Sequence, residues 1–129
     1  MSTAAERALR SGRQGSAWDR GFAVTETGGT IDLDTVRMQI RRGPGENAQL
    51  VASSYDWEEL GVAQIDLTGT TNTAPKRWRW KITDTDTAGI EPGDLWVHAI
   101  ADATPDGEPT RTETLAYHLF KCLPRVVVL

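Results

Sequence analysis

The chain has little of what most enzyme chemistry requires. Cys122 is the only cysteine among 129 residues, so no intrachain disulfide can form and no paired-thiol zinc pattern exists. With no activating base near it in sequence, a buried structural thiol is the expectation there. Histidines number two, His98 and His118. If their segments pair as strands the rings come side by side, but a metal or acid–base site needs a third partner, and Asp102 or Glu113 would have to supply it. Packed or hydrogen-bonded strand histidines are expected instead. Asp84 and Asp86 in "TDTDT" share a calcium loop's acid spacing, yet its full D-x-D-x-D-G pattern and terminal bidentate acid are missing. Asx-type turns capping a short helical turn are the simpler reading. Adjacent Glu58 and Glu59 would point to opposite faces of a strand, a poor geometry for a glycosidase pair. No G-x-S-x-G, Walker or dinucleotide fingerprint is present. The expectation is a protein that is not an enzyme and holds neither cofactor nor metal.

Also missing is any run of about 18 apolar residues, so no membrane span is expected. The opening "MSTAAERALRSGRQG" lacks the apolar segment of a secretory signal, which implies synthesis in a reducing cytosol. Hydrophobic residues are 39% of the chain, low for a globular domain, and five tryptophans compensate in part, since one aromatic buries about 150–250 Å². The formal net charge of −4 is unevenly placed. Residues 1–42 carry seven arginines against five acids, a net of +2, and residues 43–129 carry seven basic residues against thirteen acids, a net of −6. A mildly basic leading part and an acidic body suit packing between copies better than binding to nucleic acid. Only the single strand around residues 77–81 interleaves basic and aromatic residues, too small a footprint for a phosphate backbone.

What is present is alternation. "TVRMQIRR" places Val36, Met38 and Ile40 on one face and Arg37, Gln39 and Arg41 on the other, a half-buried strand. "RWRWKI" does the same with Trp78, Trp80 and Ile82 inward. These six apolar residues are the expected core. A first strand is predicted over residues 18–25, with Trp18 near an edge and a turn at 27–29. Residues 43–47, "GPGEN", form a loop from which 48–53 return as a hairpin partner. Residues 55–60 read as one helical turn or a wide loop, 62–67 as a strand, and 68–75 as a polar connection. "DTDTAGIEPG" makes a short turn with Ile90 plugging the core. Residues 95–101 and 112–122 then pair across a hairpin with Asp106-Gly107 at its tip. Both carry apolar residues on both parities, so both are expected to be central, covered on each side or facing a partner. Pro124 interrupts, and "RVVVL" closes the chain.

Residues 1–15 read as an N-terminal arm, with Thr3 and Glu6 as a capping box for a helical turn over 4–10. The arm is either a loose tail or an element that orders against a neighbouring subunit through Arg7, Leu9, Arg10 and Arg13. Residues 16–129 make the domain. Six to eight short strands with almost no helix predict an all-β protein, an antiparallel Ig-like β-sandwich with an extended N-terminal arm. Trp78, Trp80 and Trp96 have a second reading as a sugar-stacking platform, although tryptophan at strand spacing more often fills a core.

The segment "GGTIDLDTVRMQIR", residues 28–41, resembles a recurring opening of small Ig-like β-sandwich domains in tailed-phage virion proteins, where an IDLTG-x-x-x-R-x-Q-I-R type segment leads into a strand. The stretch from Ile82 to Val128 resembles the ending of the same domains. Its matching positions are Thr87, Ala88, Ile90, Pro92 and Gly93, then Asp106, Gly107, residues 112–116, Pro124 and Val126. "YHL" at 117–119 departs from the usual glycine before the closing strand, and residues 43–76 match poorly. Such domains occur in baseplate and tail-collar proteins, including collars to which long tail fibres attach. The resemblance implies a structural virion protein, a tail collar or tail-tip accessory subunit. It would be assembled in the host cytoplasm into a symmetric homo-oligomeric ring and partnered by its own copies and other tail proteins. A head decoration protein and a carbohydrate-binding host-recognition module are the alternatives.

Overall fold

The structure is a computed structural model that describes residues 10–24, 26, 28–54, 61–70 and 76–126. The predicted helical turn over 4–10, Arg7 and Leu9 of the arm, the segment 55–60 with Glu58 and Glu59, most of the 68–75 connection and the last three residues lie outside the described set. Nine strands are present among the described residues: β1 (Ser11–Arg13), β2 (Trp18–Val24), β3 (Gly29–Ile31), β4 (Arg37–Arg41), β5 (Leu50–Ser54), β6 (Ala63–Thr70), β7 (Lys76–Ile82), β8 (Gly93–Pro105) and β9 (Arg111–Leu123). The described residues also form a 3-10 turn at Leu33–Thr35 and a short helix, α1 (Asp84–Ala88). The protein is all-β, as the alternation requires.

The pairing is not purely antiparallel. Strand order runs β1-β9-β8-β4-β5-β6-β7-β2, and two of these contacts, β1 with β9 and β5 with β6, are parallel. The sheet is therefore mixed, and it curls until its two ends face each other, which makes it a nearly closed barrel. β6 is the corner. Its first residues pair with β5 (Ser54 beside Ile65) and its later ones with β7 (Leu67 beside Trp80). That strand outlasts its predicted end at residue 67 and continues to Thr70. Hairpin connectivity alone could not have predicted the parallel contacts, because β1 meets a strand at the far end of the chain and β5 runs alongside its successor β6 where a hairpin would reverse direction.

Local chemistry explains the rest. Thr83 caps α1, its hydroxyl accepting from the Asp86 amide, and the backbone N–H of Gly89 closes the other end on Asp86 and Thr87 carbonyls. Gly107, at φ 75°, turns the β8–β9 hairpin, whose strands are each 13 residues long and so exceed their predicted lengths. Between Ala99–Ala116 and Ile100–Thr114 the register shifts, leaving Leu115 as the extra residue of a β-bulge. Leu115 and Ala116 both pack against the core.

Val36, Met38, Ile40, Trp78, Trp80 and Ile82 are all buried, together with Trp18, Ile65, Ile90, Leu95, Val97 and Phe120. Phe120 is the hub. Its ring lies 5.0 Å from Trp18 and 5.6 Å from Trp80. Trp78 lies across a glycine on the neighbouring strand, where a methyl group on Gly69 would overlap the indole ring at its nitrogen edge. Gly69→Ala is expected to displace Trp78 and cost about 1–3 kcal/mol. Urea unfolding checks this, and an unchanged midpoint would show that the indole relocates freely.

Candidate functional site

Two surfaces stand apart from the ordinary polar exterior. The first is the seam where the barrel fails to close. β2 pairs with β7 only, so its other edge has no strand beside it among the described residues. β9, predicted to be central, is covered on that side, among the described residues, only where β1 meets Lys121–Leu123. Two strand edges thus look across at each other. At one end the gap is bridged: Arg20 donates to the Ser11 carbonyl at 2.7 Å and lays its guanidinium over the Phe120 ring, 6.0 Å from the centroid. Beyond Arg20 the seam opens into a cleft of about 1020 Å³ whose walls include Phe22, Trp78, Trp80 and His118. Phe22 and Trp78 stack at 5.9 Å.

The charge of this cleft opposes that of the molecule. Its lining contains Arg10, Arg20, Arg77 and Arg79 against a single carboxylate, Asp19. Asp19 is already engaged, bound by both Nε and Nη2 of Arg79, and that pair holds the carboxyl below its usual range. Arg10 and Arg77 have no carboxylate partner among the described residues. Directly across from Arg77 and Arg79 on β2 stand Ala23 and Gly21, both exposed. No side chain there blocks the arginines from reaching the seam. Burial, helped by Arg10, pushes the His118 pKa below the usual imidazole value, which favours the uncharged ring.

The second surface is the outer face of β4, β8 and β9. Gln39, His98 and Tyr117 are neighbours in one cross-strand row, and Arg41, Trp96 and Leu119 in the next. Trp96 stacks on Tyr117 at 5.4 Å, and His98 tilts against the same ring at 4.8 Å. Tyr117 remains 46% exposed, so the aromatic cluster is open on its far side. The His98 Nε2 is buried with no hydrogen-bond partner, and burial, then Arg41, lowers its pKa.

The two histidines therefore point to opposite faces. They pair with different residues, His98 with Tyr117 and His118 with Val97. Asp102 is taken up by Arg37 and Thr112, and Glu113 by Arg111, so neither completes a site with a histidine. No group of three or more potential metal ligands occurs among the described residues. Asp84 and Asp86 lie in the first turn of α1, behind the Thr83 cap. Cys122 is buried against the Ile90 carbonyl, and burial raises its pKa. Trp78 and Trp80 lie inside while Trp96 lies outside, so the three cannot form one sugar platform.

Of the arm, the described part is tied to its own domain. Lys121 N–H donates to the Arg10 carbonyl, Arg13 donates to the Pro124 carbonyl, and the Trp18 indole donates to the Arg13 carbonyl at 2.8 Å. Gln14 and Gly15 donate to Ala88 and Thr87. The boundary predicted at residue 15 thus falls inside a docked segment. Sequence reading missed the seam, because Arg10, Arg20, Arg77 and His118 come from four distant strands or flanks. Compared with protein-family models and with curated proteins, the chain matches none.

Proposed function

We propose that this chain is a structural protein of a tailed-phage particle, a tail collar or tail-tip accessory subunit that packs with its own copies and with neighbouring tail proteins. The observation that carries this reading is the open aromatic row on the outer face, Trp96 and Tyr117 stacked with His98 beside them. A sheet that buries one face in its own core and leaves aromatic side chains on the other has a surface suited to a protein partner. The order of signature segments, from "GGTIDLDTVRMQIR" to the Asp106-Gly107 hairpin, supplies the phage assignment. In that reading β1-β9-β8-β4-β5 and β6-β7-β2 are the two layers of an Ig-like sandwich, with β6 passing between them. A head decoration protein would use the same face, and gene order separates the two positions.

The test is a charge placed in the aromatic row. Tyr117→Arg is expected to lower the unfolding free energy by no more than about 1.5 kcal/mol, the worth of the lost ring contacts, since the side chain is only half buried. The same variant should reduce a wild-type oligomer to the 14.2 kDa monomer in light scattering and fail to enter particles in a complementation assay. A wild-type chain that is monomeric and absent from particles would end the proposal.

A further inference from the structure

We propose that the seam between β2 and β9 binds an extended, carboxylate-bearing peptide segment of a partner protein, which adds as the missing strand of the barrel. Three observations converge. First, the seam is bounded by two strand edges with no strand beside them among the described residues, β2 beyond Arg20 and β9 before Lys121. Unpaired edges carry rows of backbone N–H and C=O groups that only another strand matches residue by residue. Natural proteins usually blunt such an edge. Here, among the described residues, only the first half of β2 is protected, by the Arg20 guanidinium reaching across to Ser11.

Second, the lining is cationic in a molecule of net charge −4. With Asp19 neutralised by Arg79, the cleft presents Arg10 and Arg77 to whatever enters, and Gly21 and Ala23 leave the outer rim low enough for Arg77 to reach across β2. Guanidinium groups fork onto carboxylates with paired hydrogen bonds. The chain's own residues 1–9 hold one glutamate and one arginine, which cancel, so charge complementarity points to a partner rather than to this terminus. Third, the inner wall is aromatic, Phe22 stacked on Trp78. A strand with alternating faces satisfies both demands at once, apolar side chains toward the aromatic wall and carboxylates toward the arginines.

A peptide is favoured over an acidic saccharide because a sugar leaves both backbone edges unmatched. The inference extends the packing role proposed above by naming how a neighbour is held, yet its test needs no particle. The probe is an end-blocked octapeptide of alternating valine and glutamate, titrated into the full chain by fluorescence anisotropy. Three controls accompany it: the lysine-for-glutamate analogue, the same peptide N-methylated at alternate residues, and trigalacturonate. The expected result is saturable binding of the glutamate peptide alone, weakened about tenfold or more in the double variant Arg10→Glu/Arg77→Glu. Amide exchange within residues 21–24 should slow when it binds. Equal binding of the N-methylated peptide or of trigalacturonate would overturn strand addition. So would binding that emerges only after deletion of residues 2–9, which would make the chain's own terminus the occupant. Failure here with intact assembly through Tyr117 would leave the structural role standing.

Discussion

Trp80→Ala is expected to lower stability by about 3–5 kcal/mol, a large part of the roughly 5–15 kcal/mol that holds a domain of this size together. Trp80 is 1% exposed, and its ring meets Phe120 edge-on at an interplanar angle of 71°. That contact joins β7 to β9, strands at opposite ends of the sheet order, and so ties the curled sheet across its own interior. Truncation removes more than transfer energy. The void would border Phe120, which also supports Trp18, and Leu67, the cross-strand neighbour on β6. A rigid barrel cannot collapse fully into such a space, which is why the upper part of the range is expected. Urea titration reads the change as a lower midpoint at constant slope. A loss below about 1 kcal/mol would mean that the aromatic hub is dispensable and that the sheet closes by backbone pairing alone.

Much of this architecture was legible because side-chain parity in a strand is a local property. "RWRWKI" alternates, so the inward placement of Trp78, Trp80 and Ile82 follows from pleat geometry alone. "TVRMQIRR" yields Val36, Met38 and Ile40 by the same reasoning, and Asp106-Gly107 announces a hairpin because Gly107 accepts a positive φ. Parity fails where partners are remote. The parallel contacts of β1 and β5, the three-residue β3 and the division of β6 between two neighbours depend on which strands meet, and no local pattern encodes that. The β-bulge at Leu115 also breaks parity within β9, which is part of why that strand read as two-sided. The other part is its outer aromatic row, which puts large apolar side chains on the face away from the core. The cleft was invisible for a further reason: an opening between two strand edges is a property of sheet closure, and its arginines look unremarkable until the sheet curls.

Thr87→Val is the second large effect, expected at about 2–3 kcal/mol although the substitution changes one hydroxyl to a methyl. Thr87 is wholly buried. Its Oγ1 donates to the Ser16 carbonyl at 2.7 Å, has the Asp84 carbonyl at 3.2 Å as a second acceptor, and accepts from the Gly15 N–H at 3.2 Å. Valine would fill the space but leave the Gly15 donor and the Ser16 acceptor without their partner, and each such loss costs about 1–3 kcal/mol. Partial access of water to this region keeps the sum near the middle of that range. The damage should also be local. Gly15, at φ 83°, is where the chain turns from β1 toward β2, so releasing it loosens the strand that covers the end of β9. Faster amide exchange at Gln14 and Lys121, whose N–H groups bond to Leu123 and Arg10 carbonyls, should accompany the loss of stability, whereas exchange in β4 and β8 should follow global unfolding only. Thr87→Ser retains the hydroxyl and should keep these slow amides while losing only a methyl contact. If the valine variant unfolds like wild type with its β1 amides still protected, the Thr87 hydroxyl is not what fastens the N-terminal segment, and the docking of residues 10–15 must rest on Trp18 packed over Gly12 instead.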